Sequence, residues 1–552
     1  MSFHNNIMTI KSGTFLPTLF YAALAVLAVP CVALLFTETY LPVVSRLCGV
    51  LLPVTAYWLM LSLSRNTGRT IWLLFFFIFL SAFQIVLLYL FGCGPIAVDM
   101  FLNIITTNAG EAFELLGNLM TAIATVVVLY IPLLVAATVA VRRGLQQDCG
   151  FVRRQRRMAG GAFATACAAT AVCAAAVPSF SLKNDIFPVN ACYNLALAAE
   201  RAYATDHYAE TSAGFRFNAK TAHDGDGREV YVLVIGETAR ASQFGIYGYS
   251  RETTPRLAVM DGLTVFSDVL SQSNTTHKSV PMLLSPVSAT DYDSIYYRKG
   301  IAAAFREAGF HTAFLSNQKR NHSFIDFFGE EADRCIFIKD SVPDGRNVMD
   351  RELLGYVRKE LDGGYGRLLI VLHTYGSHFT YNERYAADGS HFRPDRDMSA
   401  QRENRESLVN AYDNTIRQTD RLLADLITML KQCGCPAAMV YTSDHGEDIF
   451  DDGNAFLHAS PRPTFHQLEV PLLVWTSDEY AARHPQVTQS LDRNSRRPVA
   501  TSASVFHTML HIAGISTPYR NDTLSVASPD YVPAPRLYLD DHNRPRPLNE
   551  FF

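Results

Sequence analysis

The chain has 552 residues, of which 49% are hydrophobic and 18% are charged. This length predicts more than one folded unit, because a domain usually holds roughly 100 to 200 residues. The composition is too apolar for a disordered chain and too rich in charge for a chain embedded throughout in a membrane. A formal net charge of -4 removes the bulk electrostatic case for nucleic-acid binding, so we expect no nucleic-acid partner.

Five apolar stretches precede residue 180, and each is long enough to cross about 30 Å of hydrocarbon as a helix. They are Leu16–Thr37, Val43–Leu63, Ile71–Phe91, Leu119–Val141 and Met158–Val177. The last stretch consists mostly of Ala and Gly, and its alternative interpretation is a buried helix of a soluble domain.

Basic residues fall in alternate connections of this segment, and acidic residues such as Glu38 and Asp99 fall in the others. The basic residues are Lys11, Arg65, Arg69, Arg142, Arg143, Arg153, Arg154, Arg156 and Arg157. By the positive-inside rule the N-terminus is cytoplasmic, and an odd number of spans carries the rest of the chain across the membrane. We therefore predict a five-helix transmembrane domain at 1–178, a membrane-skirting connector at 179–228 and an outer domain at 229–552.

Short β-branched runs alternate with helical patterns in the outer domain. The runs are Val230–Ile235, Thr312–Leu315, Leu368–Leu372, Ala437–Tyr441 and Leu472–Trp475. Continuous apolar strands separated by helices are typical of a largely parallel sheet that is covered on both faces. The sequence thus predicts an α/β domain after the transmembrane helices.

Potential metal ligands follow several of these runs, where open α/β sheets bind their ligands. Glu237 follows the first run, Asp444 and His445 follow the fourth, and His373 follows the third. A single acid at a strand end is also a common helix N-cap, and a single histidine is often structural. The convergence of carboxylates and imidazoles at one sheet edge nevertheless predicts a site for zinc or a similar ion.

Three motifs in this domain together resemble the phosphoethanolamine transferases that modify lipid A and other lipopolysaccharide sites. The motifs are Gly236-Glu237-Thr238-Ala239-Arg240, Tyr247-Gly248-Tyr249 with Arg251-Glu252-Thr253-Thr254-Pro255, and Ser443-Asp444-His445-Gly446-Glu447. The resemblance covers nearly the whole chain and is weakest at 179–228 and after about residue 517. It implies a sulfatase-like domain of the alkaline phosphatase superfamily, placed in the periplasm and anchored in the bacterial inner membrane.

The same resemblance implies roles for individual residues. Glu237, Asp444 and His445 would hold a catalytic zinc ion, with manganese as the alternative metal. The nucleophile of the family is a threonine in a segment that ends Ser-Val-Pro, and the spacing to that tripeptide selects Thr276, with Thr275 as the rival. Thr276 would also bind the metal. The residues that would lie around the phosphate are His373, His378 and His458.

The implied reaction has two half reactions. Thr276 attacks the phosphate of phosphatidylethanolamine, diacylglycerol leaves, and a phosphoethanolamine-threonine intermediate remains. A lipid A phosphate or a sugar hydroxyl of core lipopolysaccharide then attacks this intermediate, with one of the three histidines as acid or base.

A polar face in the membrane segment is a further hypothesis. Asn103, Thr107 and Glu111 recur every four residues, so a helix would place them on one side. This spacing is similar to an Asn, Thr and Glu set that the family uses near the donor headgroup, where Glu111 would pair with the ethanolamine ammonium. A solvated polar face is the alternative.

The chain departs from the family pattern around the nucleophile. Gln272 and Met282 stand where many relatives have cysteines, so we expect at most one or two disulfides in the outer domain. His277 and Lys278 are bulkier and more basic than the pattern, and they either bind acceptor phosphate or point outward.

Other functions within the superfamily stay open, namely phosphoglycerol transfer, phosphatase activity and sulfatase activity. Sulfatase activity is disfavoured because the segment from Ser279 to Leu283 lacks the arginine that sulfatases carry at fixed spacing. A catalytically inactive, membrane-tethered binding protein is the alternative outside the enzymes.

Overall fold

The computed structural model describes residues 12–106, 119–223, 227–342, 346–451, 453 and 455–552. Lys11, Thr107 and Glu111, which the sequence singled out, lie outside these ranges. Within the described residues the chain forms two compact units. Of these residues, the first unit comprises 12–101 with 119–199, and the second comprises 102–106 with those from 200 onward.

The first unit is helical. Its longer helices are α1 (Ser12–Thr37), α2 (Val43–Leu61), α3 (Thr67–Leu73), α4 (Phe75–Phe91), α5 (Val98–Thr106), α6 (Met120–Arg142), α7 (Cys149–Ala176) and α8 (Val189–Asp206). The last residues of α5 and of α8 belong to the second unit. Among the described helices, α1, α2, α6 and α7 are each long and apolar enough to cross a membrane. The pair α3 and α4 makes a fifth span if its two members, bent by 60°, count as one.

Two of the predicted spans differ from the observed helices. The third was expected as one helix, whereas the chain bends at Leu74 between α3 and α4. The fifth was expected to start at Met158, whereas α7 starts at Cys149, and the Asp148 side chain caps it by accepting from the Phe151 N–H at 2.9 Å. The arginines assigned to a loop at 153–157 therefore lie in the first turns of a helix.

The second unit contains a seven-stranded sheet. Its strands are β1 (Glu229–Gly236), β2 (Leu263–Phe266), β3 (His311–Ser316), β4 (Arg334–Phe337), β5 (Arg367–His373), β6 (Ala437–Ser443) and β7 (Leu472–Thr476). Their spatial order is β2-β7-β6-β1-β5-β3-β4, and the five strands from β6 to β4 are parallel. Strand β7 runs antiparallel to both of its neighbours. The predicted α/β fold with a largely parallel sheet is confirmed.

Helices cover both faces of this sheet. The main ones are α9 (Thr276–Leu284), α10 (Ile301–Glu307), α11 (Phe324–Glu330), α12 (Leu353–Asp362), α13 (Arg405–Lys431), α14 (Asp478–Arg483), α15 (Pro485–Asn494) and α16 (Thr501–Ile512). Side chains of β1 alternate between the two cores: Val232 packs with residues of α12 and α13, whereas Leu233 packs with residues of α9, α10 and α16. A continuous apolar strand is thus buried on both sides.

A short hairpin follows the last of these helices. It consists of β8 (Leu537–Leu539) and β9 (Pro545–Pro547), which pair antiparallel. All ten cysteines of the chain are free thiols, so the second unit depends on its two apolar cores rather than on disulfides.

Candidate active site and metal centre

The pairing of β1 with β6 brings the first acidic ligands together. The two strands are parallel and in register, with Gly236 opposite Ser443 at their carboxyl ends. The next residue along each strand is therefore Glu237 on one and Asp444 on the other, and both side chains are buried. His445 follows Asp444 and is also buried. Register alone places three potential ligands at one point of the sheet edge.

The ligand atoms of Glu237, Asp444 and His445 all lie within 4.8 Å of one another. His445 Nε2 is 3.5 Å from Glu237 Oε1 and 3.3 Å from Asp444 Oδ2. Thr276, the first residue of α9, places its Oγ1 3.1 Å from His445 Nε2 and 3.3 Å from Glu237 Oε1. Two carboxylates, one imidazole and one hydroxyl therefore surround a single point.

Hydrogen bonds on the outer side of the cluster fix the orientation of these groups. His445 Nδ1 lies 2.9 Å from the Gly446 carbonyl oxygen, an acceptor, which assigns the proton to Nδ1 and directs the Nε2 lone pair inward. Asp444 Oδ1 accepts from the backbone N–H groups of Thr238 at 3.0 Å and His445 at 2.7 Å. Its second oxygen, Oδ2, is buried and accepts no hydrogen bond from the described residues.

The electrostatics of the cluster favour a cation. Burial and the nearby charge of Asp444 raise the pKa of Glu237 above its usual value. Two carboxylates in so small a buried space repel each other, and a positive ion between them removes this cost. Zinc takes four ligands from carboxylates, imidazoles and a hydroxyl or water. The donor set and the unsatisfied Asp444 Oδ2 both fit such an ion.

The two adjacent threonines have different surroundings. Thr276 is partly exposed and faces the cluster, whereas Thr275 is buried with its Oγ1 3.0 Å from Ser273 Oγ.

The segment 272–276, which contains both threonines, receives hydrogen bonds from a distant part of the chain. Tyr538 of β8 donates its hydroxyl to Asn274 Oδ1 at 2.8 Å, and the Leu539 N–H donates to the Gln272 carbonyl at 2.7 Å.

Two of the predicted histidines lie beside the cluster. The ring of His458 is centred 4.2 Å from that of His445 and 6.3 Å from that of His378. His458 Nδ1 is 3.0 Å from Glu447 Oε1, and burial of the ring followed by the charge of His445 lowers the pKa of His458 to about 3. His378 stacks on Tyr375 with ring centres 4.8 Å apart.

The third histidine reaches the cluster through a glutamine. His373 is buried, with Nδ1 3.2 Å from Ser316 Oγ and Nε2 3.3 Å from Gln318 Nε2. Gln318 Nε2 also donates to Glu237 Oε2 at 2.9 Å. Burial lowers the pKa of His373 to about 3, so the imidazole is neutral at physiological pH.

A model of the Sulfatase family matches residues 229–515, which is more than half of the chain. The chain belongs to the sulfatase family. Among curated proteins, phosphoethanolamine transferase EptC of Escherichia coli K12 is 28% identical over 319 residues, 56% of this chain and 54% of the relative. EptA of the same strain is 30% identical over 300 residues, 53% of this chain and 54% of the relative. The chain thus aligns with about half the length of the curated relatives it matches.

Solved structures extend this likeness beyond the family domain. The periplasmic domain of Escherichia coli EptC, solved in complex with Zn, is 25% identical with a TM-score of 0.56, covering 60% of this chain and 96% of that chain. The integral membrane lipooligosaccharide phosphoethanolamine transferase A of Neisseria meningitidis is 22% identical with a TM-score of 0.74, covering 93% of this chain and 98% of that chain. The second likeness shows that the fold, including the helical first unit, is shared.

Sequence reasoning missed several supporting residues of this sulfatase-family site. Gln318 is one of them, and its side-chain amide links Glu237 to His373. Glu447 belonged to a recognised motif but received no role, and it accepts from the Tyr381 hydroxyl at 3.1 Å while contacting His458. Its burial raises the pKa of Glu447 well above the usual value. No signal in the sequence pointed to Tyr538.

The predicted polar face is only partly described. Asn103 lies in α5, whereas Thr107 and Glu111 fall outside the described residues. Whether the three share one helix face therefore stays a prediction.

Proposed function

We propose that this protein is a metal-dependent phosphoethanolamine transferase with Thr276 as its nucleophile. The observation that carries the proposal is the position of Thr276 Oγ1, which lies within 3.3 Å of both Glu237 and His445 in a cluster that suits a cation. The names of the curated relatives supply the group transferred, and the Zn complex of the EptC domain supports zinc as the metal.

The first half reaction forms a bond between Thr276 Oγ1 and the phosphorus of phosphatidylethanolamine. The bond from phosphorus to the diacylglycerol oxygen breaks, and the proton released by the Thr276 hydroxyl passes in net terms to this oxygen, so diacylglycerol leaves as an alcohol. Bound zinc supplies a Lewis acid that lowers the pKa of the threonine hydroxyl and offsets charge on the phosphoryl oxygens. The contacts of Thr276 with Glu237 and His445 aim its oxygen at the phosphorus.

The second half reaction breaks the bond between Thr276 Oγ1 and phosphorus. An oxygen of the lipopolysaccharide acceptor attacks the phosphorus, and Thr276 Oγ1 leaves and is reprotonated. His458 lies closest to the cluster among the three histidines, and its low pKa makes it a neutral hydrogen-bonding group. A neutral imidazole with so low a pKa is a weak base, so we assign His458, His378 and His373 to the phosphate as hydrogen-bonding groups, and the proton of an attacking hydroxyl passes in net terms to the departing Thr276 Oγ1.

The location follows from the same proposal. The apolar helices of the first unit anchor the chain in the bacterial inner membrane, with the N-terminus cytoplasmic and residues 229–552 in the periplasm. The alternate placement of arginines supports this orientation. Both substrates are lipids, so an anchored enzyme meets them at the membrane surface. The donor headgroup site at Asn103, Thr107 and Glu111 belongs to this proposal.

The test is mass spectrometry of the purified full-length protein after incubation with phosphatidylethanolamine and zinc. We expect a phosphoethanolamine adduct on Thr276 that is absent from Thr276→Ala and present in the matched control Thr275→Ala. Incubation with phosphatidylglycerol tests the phosphoglycerol alternative, which requires a phosphoglycerol adduct instead. An adduct on another residue, or none in the wild type, contradicts the proposal.

A further inference from the structure

Gln467 lies next to three segments of the candidate active site. It belongs to a helical turn, Phe465–Leu468, and is completely buried in the second unit. Its carbonyl oxygen accepts from the N–H of Gly446 at 2.9 Å, and Gly446 directly follows the ligand His445. A side chain at Gly446 has no room, because a Cβ atom there would overlap the His466 carbonyl oxygen. The backbone of Gln467 is therefore packed directly against the turn that presents His445.

The side chain of Gln467 binds the segment that carries the nucleophile. Its Oε1 accepts from Asn274 Nδ2 at 2.8 Å, and Asn274 lies two residues before Thr276. Asn274 is itself buried, and its Nδ2 also donates to the Ser460 carbonyl oxygen at 3.0 Å. This contact thus joins the nucleophile segment both to Gln467 and to the loop after His458.

The nitrogen of the same side chain binds the loop just before His458. Gln467 Nε2 donates to the Leu457 carbonyl oxygen at 2.9 Å. A backbone carbonyl can only accept hydrogen bonds, so this contact fixes which end of the amide is nitrogen and leaves Oε1 for Asn274. One side chain therefore spans the space between the segment of Thr276 and the loop of His458.

The backbone around His458 has a conformation that requires such a restraint. Leu457 and Ala459, on either side of it, have left-handed backbones with φ of 65° and 59°. This conformation is costly for residues other than glycine and persists where the surroundings impose it. Two hydrogen bonds do so here, namely that of Gln467 to Leu457 and that of the Ala459 N–H to the Asn274 carbonyl oxygen at 3.0 Å.

We propose that Gln467 is a positioning residue that fixes the separation between the Thr276 hydroxyl and the His458 imidazole. This inference rests on the proposed function, in which both groups contact the phosphate that is transferred. Glu447 restrains the ring of His458, whereas Gln467 restrains the backbone that presents this ring to the nucleophile. Loss of the Gln467 side chain lets that backbone relax, so the imidazole no longer meets a phosphoryl oxygen at hydrogen-bonding distance.

The first experiment measures the rate of adduct formation on Thr276 in the purified full-length protein, over a range of phosphatidylethanolamine concentrations. Gln467→Met keeps the approximate volume of the side chain and removes its hydrogen bonds. We expect it to lower the maximal rate roughly 10-fold, because His458 is displaced from the reacting group. The half-saturating donor concentration and the affinity for zinc should stay unaltered, since Gln467 contacts the turn of His445 through its backbone. An unaltered maximal rate overturns the inference.

The matched control removes a buried amide elsewhere in the second unit. Asn494 is completely buried, and its Nδ2 donates to the carbonyl oxygens of Val526 at 3.0 Å and Ser528 at 2.9 Å. We expect Asn494→Leu to lower the midpoint of thermal unfolding and to keep the wild-type rate. A loss of rate in Asn494→Leu equal to that in Gln467→Met would mean a general loss of structure and would overturn the inference.

A double-mutant cycle with His458→Ala tests whether Gln467 acts through the imidazole. In the His458→Ala background, Gln467→Met should change the rate by less than about 2-fold, because the group that it positions is absent. An equal loss in both backgrounds overturns the inference. If Gln467→Met does not fold, Gln467→Asn takes its place, since it keeps an amide that is one methylene too short to reach Asn274 and Leu457 together.

A rescue experiment tests the strained backbone. Glycine adopts a positive φ without steric cost, so Ala459→Gly should hold the loop conformation with less support from Gln467. We expect the double variant Gln467→Met with Ala459→Gly to form the adduct about 3-fold faster than Gln467→Met alone. A double variant no faster than Gln467→Met contradicts the role of Gln467 in restraining this backbone.

A crystal structure of Gln467→Met tests the inference independently of activity. Absence of the adduct in the wild type contradicts the proposed function, and the positioning is then decided by the structure alone. The ring centres of His445 and His458 are 4.2 Å apart in the wild type, and we expect them to lie further apart in the variant. An unaltered distance overturns the inference.

Discussion

Two pairs of buried carboxylates at opposite ends of the central sheet have different kinds of partner. At the amino ends, Glu229 is held by Arg367 at 2.9 Å and by His223 at 2.9 Å, and Glu360 is held by Arg334 at 3.1 Å. At the carboxyl ends, Glu237 and Asp444 receive hydrogen bonds from neutral donors such as Gln318 and the backbone. Arginine cations thus pair with Glu229 and Glu360, whereas Glu237 and Asp444 form a cluster that suits an external cation.

The partners indicate that Glu229 and Glu360 contribute to the stability of the fold, whereas Glu237 and Asp444 lower it in favour of binding an ion. A buried carboxylate paired with arginine contributes to folding, and removing one partner leaves an uncompensated charge. A pair of carboxylates facing each other costs stability until an ion binds, and the binding energy then becomes available to the folded state. Substitutions at the two ends should therefore affect different properties of the protein.

Asp444→Asn should have the largest effect, and it should fall on activity. The substitution keeps the oxygen that accepts from Thr238 and His445 but removes one of the charges that attract a metal. We expect adduct formation on Thr276 to fall by about 10³-fold or more, because metal binding and phosphoryl charge stabilisation are both lost.

Thermal unfolding with and without zinc tests the same variant independently of activity. Zinc at about 100 times its dissociation constant should stabilise the wild type by about 2.7 kcal/mol. Asp444→Asn should lose this shift, while the zinc-free variant should be no less stable than the zinc-free wild type because repulsion with Glu237 is relieved. Equal stabilisation of both proteins by zinc would remove Asp444 from the metal site.

Glu229→Gln should have the second largest effect, on stability alone. Arg367 would lose its counter-charge and His223 the carboxylate that it contacts, at a position that is almost completely buried. We expect the free energy of unfolding to fall by about 3 kcal/mol, with adduct formation on Thr276 unaltered at low temperature. The double variant Glu229→Gln with Arg367→Met should recover part of the loss, and a failure of Glu229→Gln to destabilise the protein contradicts this assignment.

The smallest effect concerns pH. Burial alone would raise the pKa of Glu229, but hydrogen bonds from His223, Tyr231 and Arg367 outweigh it and hold the pKa below its usual value. A depressed carboxyl pKa contributes stability that is present above about pH 4.3 and is lost as the pH falls through the folded-state pKa. We therefore expect the midpoint of thermal unfolding to fall less steeply between pH 5 and 3, roughly, in Glu229→Gln than in the wild type.

Glu237 should show the opposite sign in the zinc-free protein. Its pKa is raised, so it costs stability as the pH rises above about 4.3, and Glu237→Gln should lessen that loss. The midpoint of thermal unfolding should be measured against pH for Glu229→Gln and for Glu237→Gln. Relative to the wild type, the slope of this midpoint with pH should decrease in the first variant and increase in the second. If both substitutions changed this slope in the same direction, the proposed difference between Glu229 and Glu237 would be wrong.

The sheet was largely predictable from the sequence because its strands are continuous apolar runs. The run Val230–Ile235 became β1 (Glu229–Gly236), and Ala437–Tyr441 became β6 (Ala437–Ser443). Strands β2 and β4 were not predicted, since each has only four residues and most of these are only partly buried. Short edge strands carry too little periodicity to stand out from a loop.

The convergence of Glu237 and Asp444 was also predictable, because the carboxyl ends of parallel strands lie side by side at one edge of the sheet. Thr276 followed from the family resemblance, and the structure places its hydroxyl at the cluster. Gln318 and Tyr538 could not be predicted, since their roles depend on contacts across 81 and 264 positions in sequence. The start of α7 was missed because hydropathy marks only the apolar part of a helix, although the Asp148 cap was present in the sequence.

The bond between Tyr538 and Asn274 has a consequence for biosynthesis. The segment that presents Thr276 obtains two of its hydrogen bonds from residues made about 260 positions later. A nascent chain thus carries the Thr276 hydroxyl through nearly half of translation without the support that finally aligns it. Alignment of Thr276 is therefore tied to the arrival of the hairpin Leu537–Pro547, and a ribosome-stalled chain lacking that hairpin would lack both of these hydrogen bonds.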